Sequence, residues 1–325
     1  MDLKINLFTI SEHSTEIFHR LRWGDQIYCP ECGSVHIYNP DAGQLHICAD
    51  CDYRFSDTSK TIFHSTKLPL KKWLVAIYLF CTQSKGISSY NLSRIVNVSQ
   101  PTAWRMLTLL RISINHDLAS TDTAIIDEVY LGADWKKKPA KDKYKKVEEL
   151  GLLPEYKHTS DPIGDKYRFK KEVRGKMMLA ASLDKIPIVG ISDYNSRSLV
   201  LHPYTRKPSI EAIKSQINSD YAEINKWVSD QSSLYLWMDS DPHLTHSVCD
   251  HSKHLYSSPD GFSSNRLEGV FAHLKRMWRG IYHWFSKKMA IAYLNEFSWR
   301  WSNFDRPVEE KMKMMFGFAI SLNYN

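Results

Sequence analysis

Hydrophobic positions recur along this chain with two periods, and the changes of period mark its elements. Leu70, Trp73, Leu74, Ile77 and Cys81 fall at helical spacing, and Gly86 interrupts the chain just past them. Ser88 or Ser89 can cap a short helix running through Ile95 and Val96. Asn97 to Ser99 then make a turn, and Pro101 suits the first position of a second helix with Ala103, Met106, Leu107 and Leu110 on its buried face. This is a helix-turn-helix pattern, with Gln100, Thr102, Arg105 and Arg111 available to meet DNA, although a plain helical hairpin has the same periodicity.

Past a polar connection at 115–123 the period shortens. TAIIDEVYLG is a β-rich run carrying Asp127 and Glu128, and carboxylates inside an apolar strand are costly unless paired or metal-bound. Strand alternation sends Glu128 to the face opposite Asp127, so both cannot serve one site directly. KMMLAASLDKIPIVGISDY reads as a strand hairpin about Asp184–Lys185. Residues 208–228 place Ile210, Ile213, Ile217, Tyr221, Ile224 and Trp227 at helical intervals. A final strand, SLYLWM, ends at Asp239, with Asp241 two residues on and facing the same way if the strand continues. Residues 242–264 read as a polar loop, and its His243, His246, His251 and His254 lack the spacing of a metal site.

The run from Asn265 to Arg279 is a helix with Leu267, Val270, Phe271, Leu274 and Trp278 as its apolar stripe, and Asn265, Glu268 and Lys275 share the neighbouring face. Asn265 with Glu268 is also a capping box, which starts a helix without any chemistry. A second amphipathic helix, rich in Trp and Phe, closes the chain. Strand, hairpin, helix, strand and helix with acids at strand ends predict an α/β core, a ribonuclease H-like mixed sheet with flanking helices.

Composition adds partners and a compartment. The net charge of +7 and a pI near 8.9 favour a polyanionic partner. No apolar run reaches membrane-spanning length, and MDLKINLFTISEHSTE lacks a signal-peptide core, so a cytoplasmic protein with no membrane partner is expected. Four of the six cysteines are paired as Cys29 with Cys32 and Cys48 with Cys51, fifteen residues apart, while Cys81 and Cys249 stand alone. That spacing points to one structural Zn²⁺ in a zinc ribbon and not to a disulfide framework. Lysines and arginines concentrate in 135–175, a solvated insertion or a phosphate-binding one, with Lys136, Lys137 and Lys138 as the candidate DNA contacts. The chain therefore divides into an N-terminal segment with zinc ribbon (1–66), a helix-turn-helix module (67–118) and a catalytic domain (119–325).

CPECG with CADC, TIFHSTKLPLKKW, PTAWRM with Arg111, IDEVYLG, MDSD, NRLEGVFAHLKRMWRGIYHWFS and YLNEFSWRWSN together carry a resemblance that runs nearly end to end. The chain resembles bacterial and archaeal insertion-sequence transposases that join a zinc ribbon to a DDE-type ribonuclease H-like domain. The resemblance implies binding to terminal inverted repeats of double-stranded DNA, strand cleavage and strand transfer, supported by two Mg²⁺ ions, with Mn²⁺ as a substitute. It implies Asp127 as the first acid and Asp239 as the second, Asp241 being the neighbouring alternative. The third position varies between Asn and Glu in the family and falls here on Asn265 or Glu268, with Lys275 downstream. A homo-oligomer, at least a dimer on DNA, is expected because two ends must be paired. Two other readings share these motifs: an inactive relative that regulates by binding DNA, and a nuclease that hydrolyses without joining.

Overall fold

The computed structural model of the chain describes residues 5–132, 145, 148, 149, 151, 185–249, 257, 258 and 260–321. Its described helices are α1 (Leu7–Glu12), α2 (Ser14–Trp23), α3 (Leu70–Thr82), α4 (Ser89–Val96), α5 (Gln100–Ser113), α6 (Ile210–Asp220), α7 (Asn265–Met277), α8 (Ala290–Ser302) and α9 (Val308–Ser321). The strands are β1 (Ile37–Tyr38), β2 (His46–Cys48), β3 (Arg54–Phe55), β4 (Thr123–Leu131), β5 (Ile186–Asp193), β6 (Leu199–Pro203), β7 (Lys226–Asp230) and β8 (Thr245–Cys249). Contacts group them into two compact units, one of Met1–Thr121, Ile191–Leu201 and Gly269–Asn325, the other of Asp122–Gly190 and His202–Glu268.

The first unit begins with local capping. Asn6 accepts hydrogen bonds from the Phe8 and Thr9 N–H groups to start α1, and Ser88, not Ser89, caps α4 by accepting from Asn91. Asn97 ends α4 in the left-handed region at φ 51°, and Ser99 caps α5 through the Thr102 N–H, so the turn between the two helices is built as its residues predict. The core of the unit joins Phe18, Phe63, Trp73 and Phe80 to Trp299 and Phe316 from the far end of the chain. Phe18 meets Phe63 and Phe316 edge-on, with ring centroids 5.1 and 4.8 Å apart. Contact grouping places Ile191–Leu201 and Gly269–Asn325 with the N-terminal residues of this unit.

Three charged side chains are buried together in this unit. Glu296 on α8 is fully buried, and it accepts from Arg111 Nε at 2.6 Å and from Arg300 at 2.7 and 2.9 Å. Arg111 stands over the Tyr293 and Tyr282 rings at 4.2 and 5.1 Å, and Arg300 lies over Phe80 at 4.4 Å while donating to the Gln83 carbonyl. Burial by itself would raise the Glu296 carboxyl, but Arg111 and Arg300 outweigh it and hold it below its ordinary value. Gly86 is required beside this group, because it has φ +86° and a Cβ there would come within 2.5 Å of the Tyr282 hydroxyl.

The zinc-ribbon segment is a three-stranded antiparallel sheet, β1-β2-β3, with Trp23, Ile27, Cys29, Cys48 and Phe55 as its small core. Asp57 ties it to α2 by accepting from Trp23 Nε1 at 2.7 Å and pairing with His19 and His46 at 2.9 and 3.0 Å.

The large sheet is mixed, in the order β6-β5-β4-β7-β8. β5 and β6 form an antiparallel hairpin, shown by Asp193 N–H to Ser198 O and Tyr204 N–H to Pro187 O, whereas β4, β7 and β8 run parallel. The first arm of the expected hairpin about Asp184–Lys185 lies outside the described residues. The expectations for 208–249 are corrected here. The helix expected over 208–228 ends at Asp220, and residues 226–230 are a strand buried on both faces, its Trp227 flanked by β4 and β8. The expected strand SLYLWM is instead a turn leading into a 3₁₀ helix, Leu236–Ser240, and the expected loop after it contains β8.

Replacing Glu296 by Ala leaves Arg111 and Arg300 buried without their counter-charge. Urea unfolding is expected to show a loss of about 3–5 kcal/mol. The same change at Glu310, which pairs with Arg306 on the surface of the last helix at 3.3 Å, is expected to cost under about 0.5 kcal/mol.

Candidate active site

Parallel pairing of β4 with β7 assembles the acidic site. Thr123, Ala124 and Ile125 stand opposite Lys226, Trp227 and Val228, and two residues further along each strand come Asp127 and Asp230. Carboxylate oxygens of Asp127, Glu128 and Asp230 lie within 4.8 Å of one another. Each is fastened. Asp127 Oδ1 accepts from the Glu128 N–H at 2.7 Å, Glu128 accepts from the Tyr235 hydroxyl at 2.7 Å, and Asp230 accepts from the Ser232 N–H at 3.0 Å.

Three carboxylates so close cannot all carry charge in a half-buried site without a cation. Burial, followed by the charge of Asp230, pushes the Asp127 carboxyl up to about 8, and Glu128 and Glu268 add to the shift. Burial also raises Glu128, against the Tyr235 hydrogen bond. The effect of Glu268 on Asp127 brings the start of α7 into the same electrostatic neighbourhood. A set of hard carboxylate oxygens of this kind fits a divalent cation such as Mg²⁺.

Asp230 is the acid that sequence reasoning missed, and it takes the position in the cluster expected of Asp239. Asp239 is exposed on the 3₁₀ helix, where it pairs with His246 Nδ1 at 2.7 Å, while His246 Nε2 meets Ser229 Oγ at 2.8 Å. The neighbouring candidate Asp241 follows that 3₁₀ helix and accepts from the His243 N–H at 3.1 Å. The signal for Asp230 was present in Trp-Val-Ser-Asp, an apolar run closed by an acid, but Ile224 and Trp227 also fit the period of the preceding helix. The expectation that Glu128 could not share a site with Asp127 is likewise corrected. The Asp127 side chain folds back on the following amide, and the longer Glu128 side chain reaches Tyr235 and Ser232.

Asn265 and Glu268 both lie exposed on the first turn of α7, and Lys275 lies exposed in its last turn. Asn265 is a helical residue and not the cap: the Ser264 carbonyl accepts from the Leu267 and Glu268 N–H groups. The capping-box alternative therefore falls away.

The four ribbon cysteines do converge. Cys29 and Cys51 sulfurs are 3.7 Å apart, those of Cys32 and Cys48 3.6 Å, and all four lie within 4.8 Å. A zinc tetrahedron with Zn–S bonds near 2.3 Å has edges of about 3.8 Å, so the donor set fits a closed Zn²⁺ site. On α5, Gln100 and Arg105 are exposed and Thr102 is half-buried, with Gln100 donating to Ser89 Oγ at 2.8 Å. Arg111 does not face solvent. It is 2 % exposed, so its expected role as a DNA contact is overturned by the ion pair with Glu296. Lys136, Lys137 and Lys138 lie outside the described residues. Among the described residues no helix is long and apolar enough to cross a membrane.

Comparison with known proteins places these features together. Residues 11–54 match the transposase zinc-ribbon domain, and residues 161–302 match the ISXO2-like transposase domain. The second match begins beyond Asp127 and takes in Asp230, Asn265, Glu268 and Lys275. The chain is also 23 % identical, over 328 residues, to an uncharacterized protein in transposable element ISH50 of Halobacterium salinarum, the alignment covering 98 % of this chain and 100 % of that one. The chain carries the zinc-ribbon and transposase domains of the IS1595 family of insertion-sequence transposases.

Proposed function

We propose that this transposase binds the terminal inverted repeats of its element, cuts DNA at those ends and joins the freed 3′ hydroxyl to target DNA. The observation that carries the reading is the pair of carboxylates, Asp127 and Asp230, level with each other on neighbouring parallel strands. A divalent metal held by these residues would supply activation of the attacking water and charge stabilisation at the leaving 3′ oxygen. Asp127, Asp230 and either Glu268 or Asn265 are the residues that would hold it. Tyr235 and Ser232 hold the Glu128 carboxylate toward the same group and fix the geometry of the site. Lys275, about two helical turns past Glu268, is suited to a DNA phosphate. The zinc ribbon and the exposed face of α5, with Gln100, Thr102 and Arg105, would dock DNA without taking part in chemistry. At least two copies would act together, one at each end.

Strand cleavage and joining, measured on DNA carrying the element's ends with Mg²⁺, test this. Asp127→Asn and Asp230→Asn are each expected to lower cleavage by about 100-fold or more, and Asp239→Asn to leave most of it. If Asp239→Asn is the inactive variant and Asp230→Asn still cuts, the assignment fails. A wild-type chain that binds the ends and never cuts them would be a DNA-binding relative, and one that cuts without joining pre-cut ends would be a nuclease.

The acid cluster also sets a pH dependence for the metal-free protein. Because the folded Asp127 carboxyl lies near 8, above its ordinary 3.8, the folded chain binds more protons than the unfolded one between these values. Stability is thus fully present below pH 3.8 in this one respect and is lost as the pH rises toward 8. Asp127→Asn removes the penalty and is expected to stabilise the metal-free chain by about 1–3 kcal/mol at pH 8–9. Thermal melting with and without Mg²⁺ reads this directly, and Mg²⁺ is expected to raise the melting temperature of the wild type far more than that of the variant.

A further inference from the structure

Between Gly269 and Asn295 the chain has no acid, yet carries Lys275, Arg276, Arg279, Lys287 and Lys288. In the middle of this stretch Trp284 is 70 % exposed. Its neighbours explain how it is held there. After α7 the chain makes one π-helical turn, Trp278–Tyr282, and His283 then takes φ 55° and ψ −38°. The Trp284 N–H donates to the Tyr282 carbonyl at 2.5 Å, which closes a γ-turn of the rare, strained hand. Tyr282 and Phe285, on either side of the turn, both pack on Tyr293, each with ring centroids 4.7 Å apart. Arg111, locked by Glu296, lies over Tyr282 and Tyr293 from α5. The two ends of the turn are therefore clamped in the core, and the chain between them bulges outward with the indole at its tip.

A strained turn that a packed core sustains, with a large aromatic group held in water at its end, points to a functional role for that segment. The surroundings name the chemistry. Arg279 and Lys288, five residues before and four after Trp284 in the chain, are also exposed, so the indole lies in an exposed segment whose charged side chains are cationic. Cationic groups that follow a phosphate backbone, together with an aromatic face, are the elements of a single-strand stacking site. We propose that Trp284 stacks on an unpaired nucleobase of the DNA strand, with Arg279 and Lys288 meeting the flanking phosphates. This rests on the reading that the chain acts on DNA, and it adds that the DNA is locally unpaired when engaged. Arg111 and Tyr293 are positioning residues in this arrangement, because they hold the turn and do not reach its tip.

The test uses the full-length protein with a single-stranded oligodeoxynucleotide carrying one 2-aminopurine, whose fluorescence is quenched when it stacks on an aromatic ring. Binding of a plain duplex, followed by anisotropy, is measured beside it. The wild type and Trp284→Phe are expected to quench the probe. Trp284→Ala, an exposed change that leaves the core intact, is expected to bind the single strand about 10-fold more weakly and without quenching. Equal affinity and equal quenching for Trp284→Ala would overturn the proposal while leaving the DNA reading in place. A wild-type chain that binds neither single strand nor duplex would overturn the DNA reading itself. If Trp284→Ala turned a dimer into a monomer in sizing while still quenching, the indole would belong to a contact between copies and the proposal would fall.

Discussion

Two parallel strands that end together impose like charges on one place. β4 and β7 are neighbours in the sheet, and their register leaves Asp127 and Asp230 level at the ends of the paired segment. Backbone hydrogen bonding sets that register, so the repulsion between the carboxylates cannot be relieved by sliding one strand along the other without turning buried faces outward. Two remedies remain, a proton or a cation. The upward shift of Asp127 is the first of these, and the hard oxygen donors fit the second. The metal-free form of this site is therefore electrostatically unsatisfied.

A different charge organises the other unit. Glu296 brings Arg111 from α5 and Arg300 from its own helix to one buried point, and the two arginines spread over Tyr282, Tyr293 and Phe80. Removing one partner of such a buried group leaves an uncompensated charge, which is costly. Here the three side chains fasten segments separated by 185 residues of chain, and through Tyr282 and Tyr293 they reach the strained turn below Trp284. The same contacts explain why Arg111 was misplaced by its sequence context. On α5 it follows a buried Leu110 and precedes an exposed Ile112, and nothing local says that the positive charge points inward toward a partner so far along the chain.

Several parts of the molecule could be read directly from residue order. Two CxxC pairs with fifteen residues between them are the spacing of a zinc ribbon, and the four sulfurs do meet. The turn at Asn97–Ser99 was equally legible because short-range side-chain and backbone contacts decide it, although Gln100 and not Pro101 takes the first position of α5. The helix from Asn265 was predicted from its stripe of Leu267, Val270, Phe271 and Leu274, all buried in the structure. Asp127 could be singled out because an acid in an apolar strand needs a reason.

What residue order could not decide was pairing. Ile224 and Trp227 satisfy a helical period as well as they satisfy a buried central strand, since a strand covered on both faces shows no alternation. That ambiguity hid β7, and with it Asp230, and sent the second acid to Asp239, where an apolar run of similar appearance turns out to be a 3₁₀ helix. The chain by itself determined the zinc knuckles, the caps and the amphipathic helices, because each depends on residues a few positions apart. Only the tertiary structure decided which acid stands beside Asp127 and which way Arg111 points. Strand neighbours and buried ion pairs are chosen by what the whole chain can bury together, and no short window contains that information.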